Sequence, residues 1–325
     1  MVAILVKEGQ VVAQGFDGVR KRGSPEKVTL NNKFHIGSCT KSMTATMIAT
    51  LVEEGKLRWT TTVGEVVRDL GTKMHPGWDR VTLEQLLTHR GGAPPDIEEN
   101  LWARLWTHSG TPSEQRHALA EGVLLKAPLA PGMENWAYSN AGYALAGWFA
   151  EKGTGRSWET LMEERLFRPL GMESAGFGAP GAAGSVVQPR GHTEAGEPVE
   201  VGPGSDNPAA IAPAGTVHCS LGDWAKYVSF HLQGGKLLKA ESLAHLQRPR
   251  EGPDPRYAMG WIVLHRDWGG GQVLMHNGSN TMWFAVSWLA PKKGLAILVA
   301  TNQGGDRAEM ACDEAAGALL DGMSR

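Results

Sequence analysis

The first fifteen residues, MVAILVKEGQVVAQG, cannot make a stable structure by themselves. Apolar residues alternate through them around a KEGQ turn, which is the pattern of a hairpin. An isolated two-stranded hairpin is marginal in water, so its apolar face must be covered by another part of the chain. The C-terminal third offers partners of the same kind. Tyr257–Leu264, Gly271–Asn277, Thr281–Ala290 and Gly294–Asn302 read as strands divided by Gly or Pro turns, and Asp306–Leu320 reads as a helix. The simplest closure joins both chain ends in one antiparallel sheet, with the terminal helix over one face. The expected class is therefore mixed α+β.

The middle of the chain has a different texture. Helical patterns cover Thr40–Glu54, Leu83–Thr88, Ser113–Leu125, Ala141–Glu151, Trp158–Arg165 and Leu221–Gln233, with Gly/Pro-rich loops at Gly176–Pro189 and Gly202–Gly215. A mostly helical region, 38–254, is thus expected between two parts of a sheet region, 1–37 and 255–325. Their junction is the expected ligand cleft. A chain of 325 residues, 42% apolar, suffices for one large domain or two packed ones.

Charge and cysteine content narrow the partners. The formal charge is −2 with no basic block, which argues against nucleic acid. No run approaches the roughly 20 apolar residues that span a membrane, and the opening residues do not form a signal peptide. Cys39, Cys219 and Cys312 are odd in number and far apart, so neither a disulfide framework nor a metal or cofactor site is expected. The chain as given reads as cytoplasmic, or as periplasmic or secreted if a leader preceded it.

Chemistry enters at FHIGSCTKSMTATMIATLVEEGKL, Phe34–Leu57. Ser38 and Lys41 are three apart at a helix start, about one turn, and share a face. A Ser there is a common helix cap. A Lys in the first turn, however, opposes the helix dipole. That placement makes sense if Lys41 is a base: a Ser hydroxyl needs a neighbour to take its proton, and burial lowers a lysine's pKa. Tyr138-Ser139-Asn140 precedes a second helix. A tyrosine beside an ammonium can carry a proton, because the cation favours phenolate. Asn140 can orient Lys41 or hold a substrate carbonyl; the plain alternative is a helix cap beside a core tyrosine. His276-Asn277-Gly278 falls at a strand end. Gly278 allows close approach of backbone, and the Ser279 N–H can serve a developing oxyanion; Asn-Gly is equally a hairpin signal.

SxxK, YSN and HNG in that order resemble the serine β-lactamase and penicillin-binding superfamily. Within it the likeness is to the class C β-lactamase-like branch, which also holds D-alanyl-D-alanine carboxypeptidases, D-aminopeptidases and small esterases. LLTHRGGAP (Leu86–Pro94), PGMENWAYSNAGYALAG (from Pro131), PLGM (Pro169–Met172) and PAGTVHCSLGDWAKY (Pro213–Tyr227) support it in order along nearly the whole chain. The resemblance implies a β-lactamase/transpeptidase-like fold. It makes Ser38 the acylated nucleophile, Lys41 the proton acceptor, Tyr138 the proton shuttle and Asn140 a substrate-binding amide. It gives the oxyanion hole to the N–H groups of Ser38 and Ser279, and places His276 where a lysine of Lys-Thr-Gly usually stands. A histidine is mostly neutral at pH 7, so HNG should hold a carboxylate weakly.

The expected function is hydrolysis of small esters or amides through an acyl-enzyme on Ser38. The alternatives are a β-lactamase, a D-alanyl-D-alanine carboxypeptidase, or a non-catalytic binder of cell-wall fragments. Metal hydrolysis has little support, because His89, His108 and His117 lack a compact ligand spacing. Cys39, one residue on from Ser38, points away from Lys41 on a helix and reads as core. Trp102 and Trp106, in Glu98–Pro128, are expected either to border the cleft mouth or to pack a surface helix.

Overall fold

The structure is a computed structural model that describes residues 1–68, 73–130, 135–250 and 257–323. Its strands are β1 (Val2–Lys7), β2 (Gln10–Phe16), β3 (Lys33–His35), β4 (Gly176–Phe177), β5 (Gly191–His192), β6 (Pro198–Val199), β7 (Val217–Ser220), β8 (Ile262–Arg266), β9 (Gly271–Ser279), β10 (Phe284–Ala290) and β11 (Leu295–Thr301). Its helices are α1 (Thr40–Glu53), α2 (Val63–Arg68), α3 (Leu83–Leu87), α4 (Glu99–Trp106), α5 (Pro112–Leu124), α6 (Asn140–Thr154), α7 (Trp158–Met162), α8 (Arg168–Leu170), α9 (Ala212–Gly215), α10 (Leu221–Gln233), α11 (Ala240–Gln247) and α12 (Asp306–Gly322).

The hairpin finds its cover at the other end of the chain. The main sheet has the order β2-β1-β11-β10-β9-β8, and every neighbouring pair is antiparallel. β1 pairs with β11 in the register Ile4↔Leu298. Alternation along β1 and β11 then feeds two cores. Val2, Ile4, Val6, Ala296, Leu298 and Ala300 face the large core shared with α1, α6 and α10. Leu5, Leu295, Ile297 and Val299 face Ala308, Cys312 and Ala316 of α12. A strand buried on both faces must be apolar throughout, and all seven residues of β11 are buried.

A second sheet, β3-β7-β4, has no counterpart among the sequence expectations. Its strands are only two to four residues long, too short to leave a period-2 pattern. It nevertheless holds the entry to α1: Phe34 pairs with Cys219, and Ile36 N donates to Val217 O at 3.0 Å. Two further expectations are corrected. Strand β8 begins at Ile262 rather than Tyr257, because Gly260 (φ +82°) turns the chain and Ala258 N closes on Trp261 O at 2.8 Å. The loop expected over Gly202–Gly215 ends in α9, whose Pro213 suits a first helical turn. The sequence reading also passed over α2 and α11. The region boundary expected at 254/255 and residues Pro131–Glu134 of the second motif lie outside the described residues. Among the described residues no helix is long and apolar enough to cross a membrane.

Candidate active site

β3 delivers the chain into a 3-10 turn, Gly37–Cys39, that runs directly into α1. Ser38 stands on this turn, partly exposed, while Lys41 in the first turn of α1 is fully buried. Lys41 Nζ lies 3.0 Å from Ser38 Oγ, 2.7 Å from Asn140 Oδ1 and 2.8 Å from Ala214 O. Three separate elements thus converge on one nitrogen: α1, the start of α6, and α9. Thr44 Oγ1 ties α1 to this last segment by donating to Pro213 O at 2.8 Å. Burial holds the Lys41 pKa well below the usual lysine range, as the sequence reading anticipated.

A neutral amine has two N–H donors and one lone pair. Asn140 Oδ1 and the Ala214 carbonyl can only accept, so they take the two hydrogens. In the neutral form the lone pair is left for the Ser38 hydroxyl, which then donates to Lys41. If Lys41 takes that proton, its three hydrogens meet the same three oxygens. Both protonation states are satisfied without rearrangement.

Tyr138 sits over this group, with Lys41 Nζ 4.7 Å from its ring centroid. The expected effect of the lysine on the phenol is corrected here. Burial raises the Tyr138 pKa above its ordinary value, and hydrogen bonding with Ser38 offsets only part of the rise. Tyr138 is thus held as a neutral phenol, a donor rather than a phenolate. Its backbone is gripped on both sides by His89: Ala137 N donates to His89 O at 3.0 Å, and Ser139 N donates to His89 Nδ1 at 3.1 Å. The His89 and Tyr138 ring centroids are 4.5 Å apart. Ser139 caps α6 by accepting from Gly142 N at 3.0 Å, which sets Asn140 at the first helical position.

Two glycines bring the second wall of the site against the first. A Cβ on Gly278 would lie 2.2 Å from Ile36 O and 2.4 Å from Ser38 N, and one on Gly37 (φ +49°) would lie 2.3 Å from Ser279 N. Main chain therefore meets main chain, which larger residues would prevent. The amides of Ser38 and Ser279 border this contact, as an oxyanion hole requires.

The HNG run presents main chain rather than side chains to that contact. His276 is 2% exposed. Its Nδ1 donates to Asn277 O at 2.5 Å, and its Nε2 accepts from the Tyr257 hydroxyl at 3.0 Å. Burial first, and Lys41 second, push its pKa down to about 3, so it is uncharged at neutral pH. Strand alternation turns Asn277 to the opposite face, where its Nδ2 reaches Glu309 Oε1 on α12 at 3.4 Å. The Asn277 side chain thus stands apart from the Lys41 group, toward α12. Cys39 is also accounted for: its Sγ donates to His276 O at 3.3 Å, and burial pushes the thiol up to about 12. Trp102 and Trp106 lie on α4 and pack edge to face, with centroids 5.9 Å apart.

Sequence reasoning did not assign His89, Tyr257 or the Ala214 carbonyl to the site. His89 and Ala214 lie inside supporting motifs, whereas Tyr257 marks only the start of an expected strand. Among the described residues no group of three or more His, Cys, Asp or Glu side chains is placed to hold a metal ion.

Comparison with known proteins identifies the family. The chain is 26% identical over 302 residues to penicillin-binding protein 4 of Amycolatopsis lactamdurans, covering 88% of this chain and 76% of that one. It is 30% identical over 233 residues to a β-lactamase of Pseudomonas fluorescens, covering 70% of this chain and 58% of that one. The octameric penicillin-binding protein homologue from Pyrococcus abyssi superposes with a TM-score of 0.77 at 25% identity, over 98% of this chain and 73% of that one. The Beta-lactamase family model matches residues 1–321. Sheet topology and family match agree: the chain belongs to the Beta-lactamase family, within the serine hydrolases of the β-lactamase and penicillin-binding superfamily.

Proposed function

We propose that the protein hydrolyses small esters or amides through an acyl-enzyme on Ser38, and that it disfavours substrates with a carboxylate beside the scissile bond. The observation that carries the chemistry is the hydrogen-bond count at Lys41, which leaves its lone pair to the Ser38 hydroxyl. Ser38 Oγ attacks the carbonyl carbon as Lys41 takes its proton. The carbonyl oxygen becomes an oxyanion facing the amides of Ser38 and Ser279. The Tyr138 phenol gives its proton to the leaving group and recovers one from the Lys41 ammonium. Water then repeats the sequence on the acyl-enzyme, with Ser38 as the leaving group.

Electrostatics on the Ser279 side support the substrate preference. His276 supplies no charge there. A substrate carboxylate beside it therefore gains no charge-assisted bond of the kind a lysine would give.

An aryl phosphonate should add one adduct by intact mass, mapped to Ser38 and absent from Ser38→Ala. An adduct that persists in that variant refutes the assignment. In a panel of p-nitrophenyl acetate and butyrate, a chromogenic cephalosporin and a D-Ala-D-Ala peptide, the esters should show the highest kcat/KM at both pH 6 and pH 8. His276 stays neutral at both, so acidification should not rescue the carboxylates. A cephalosporin preferred by about tenfold, roughly 1.4 kcal/mol of transition-state binding, would restore the β-lactamase reading.

A further inference from the structure

One carboxylate outside the acid–base group touches both walls of the oxyanion crevice. Asp206, in the segment between β6 and α9, has a 9% exposed side chain. Its Oδ2 lies 2.9 Å from His35 Nε2. On the other side of the same imidazole, Nδ1 accepts from Gly37 N at 3.1 Å. Because Nδ1 accepts, the ring hydrogen is on Nε2 and is donated to Asp206. The other oxygen, Oδ1, accepts from Asn280 Nδ2 at 2.9 Å and from Asn207 N at 2.8 Å. Asn280 in turn accepts from Met282 N at 3.2 Å.

Gly37 immediately precedes Ser38, and Asn280 immediately follows Ser279. The residue beside each proposed oxyanion donor is therefore held by the same carboxylate. His35 is 0% exposed and Asn280 4%, so both links are shielded from water. The glycine contact limits how closely the two walls approach, but not how they slide or rotate. An oxyanion hole needs that second constraint, because both amides must lie about 2.7–3.1 Å from one oxygen. The chain beyond Ser279 also carries local strain: Thr281, a β-branched residue, has φ +73°. Such outliers persist only where the surroundings over-determine them.

We propose that Asp206 is the positioning residue of the oxyanion hole, fixing the Gly37–Ser38 wall through His35 and the Ser279 wall through Asn280. The inference rests on the serine-hydrolase reading above. It makes Asp206 act on the stabilisation of the transition state, not on proton transfer.

Asp206→Ala should lower kcat by about 10²-fold, the scale of losing one oxyanion donor, with little change in KM. Affinity for an arylboronic acid, whose tetrahedral adduct on Ser38 places an oxygen in the hole, should fall by a similar factor. The acid limb of kcat/KM, set by Lys41, should stay where it is. Asp206→Asn keeps an acceptor for Asn280 but offers His35 a donor, so it should fall between wild type and Asp206→Ala; a mere packing role would leave it at wild-type activity. Asn280→Ala severs one wall only, and its loss should vanish in the Asp206→Ala background. Melting curves and phosphonate titration normalise each rate to folded enzyme. If Asp206→Ala does not fold, Asn280→Ala decides: unchanged boronate affinity there overturns the proposal. So does a folded Asp206→Ala that loses rate but binds boronate as wild type does. Failure of the wild type to form any Ser38 adduct is a different result, and removes the serine-hydrolase reading itself.

Discussion

Lys41 is costly where it stands. It is buried, and it lies in a helix's first turn, where the dipole disfavours a cation. Both effects favour loss of its proton, which is what a base for Ser38 needs. Stability should record this. The unfolded chain keeps the lysine proton up to its ordinary pKa, whereas the folded chain releases it at lower pH. Between those two values the unfolded state binds more protons, so wild-type stability rises with pH. Lys41→Met cannot titrate there, and its orphaned partners, Asn140 Oδ1 and Ala214 O, cost the same at every pH. The wild-type Tm should therefore gain on the variant's from pH 7 to pH 10, while kcat/KM on an alkyl ester drops by about 10²–10⁴. A pH-independent Tm difference would mean that Lys41 is charged in the fold. The sequence showed Ser38, Lys41, Tyr138 and Asn140 because each belongs to a short local pattern. It could not show the Ala214 carbonyl, since a main-chain acceptor leaves no trace in residue type. His89 and Asp206 were hidden for a related reason: His89 grips backbone, and Asp206 grips side chains, that only the tertiary fold brings to them.

At the level of elements, the site is an encounter between the turn before α1 and the end of β9, and Gly37 and Gly278 set its spacing. Gly278→Ala should force these main chains apart, because its Cβ would fall 2.2 Å from Ile36 O. We expect kcat to fall by about 10²–10³-fold, as when an oxyanion donor is withdrawn, with about 1–3 kcal/mol of destabilisation from overpacking. Wild-type kcat in a folded Gly278→Ala would dissociate Ser279 from catalysis. Long elements with a clear period were legible: α1, α5, α6 and α10 lie within a few residues of their expected spans, as do β9–β11. The pieces of β3-β7-β4 were not, because two- to four-residue strands carry too few side chains to show alternation. The turn at Gly260 was missed because YAMGWIVL is apolar on both sides of it, and composition alone cannot tell a bent apolar run from a straight one.

Across the whole molecule, several histidines are locked in neutral form. Burial pushes His276 and His231 down to about 3 and His218 to about 4, and holds His89 well below its ordinary value. Below pH 6.5 the unfolded chain protonates these residues and the folded chain does not, so the unfolded state binds more protons and stability falls with falling pH. Each such histidine contributes up to about 1.4 kcal/mol per pH unit until its folded pKa is reached. Urea unfolding at pH 6.5, 5.5 and 4.5 should show steep loss, corresponding to uptake of more than one proton; a flat profile would contradict their burial. The joining of both chain ends was legible for a global reason, since the first hairpin needs cover and the strand-like segments of the C-terminal third offer the simplest one. The pairing of β1 with β11 also bears on synthesis. A chain still emerging from the ribosome carries Ser38 and Lys41 early, yet it lacks Ser279 and the strand that must slot between β1 and β10. Closure of such long-range pairings is slow and comes late. Nascent and prematurely terminated chains should therefore lack both the completed core under Lys41 and the Ser279 wall, so that activity appears only once translation has passed Thr301.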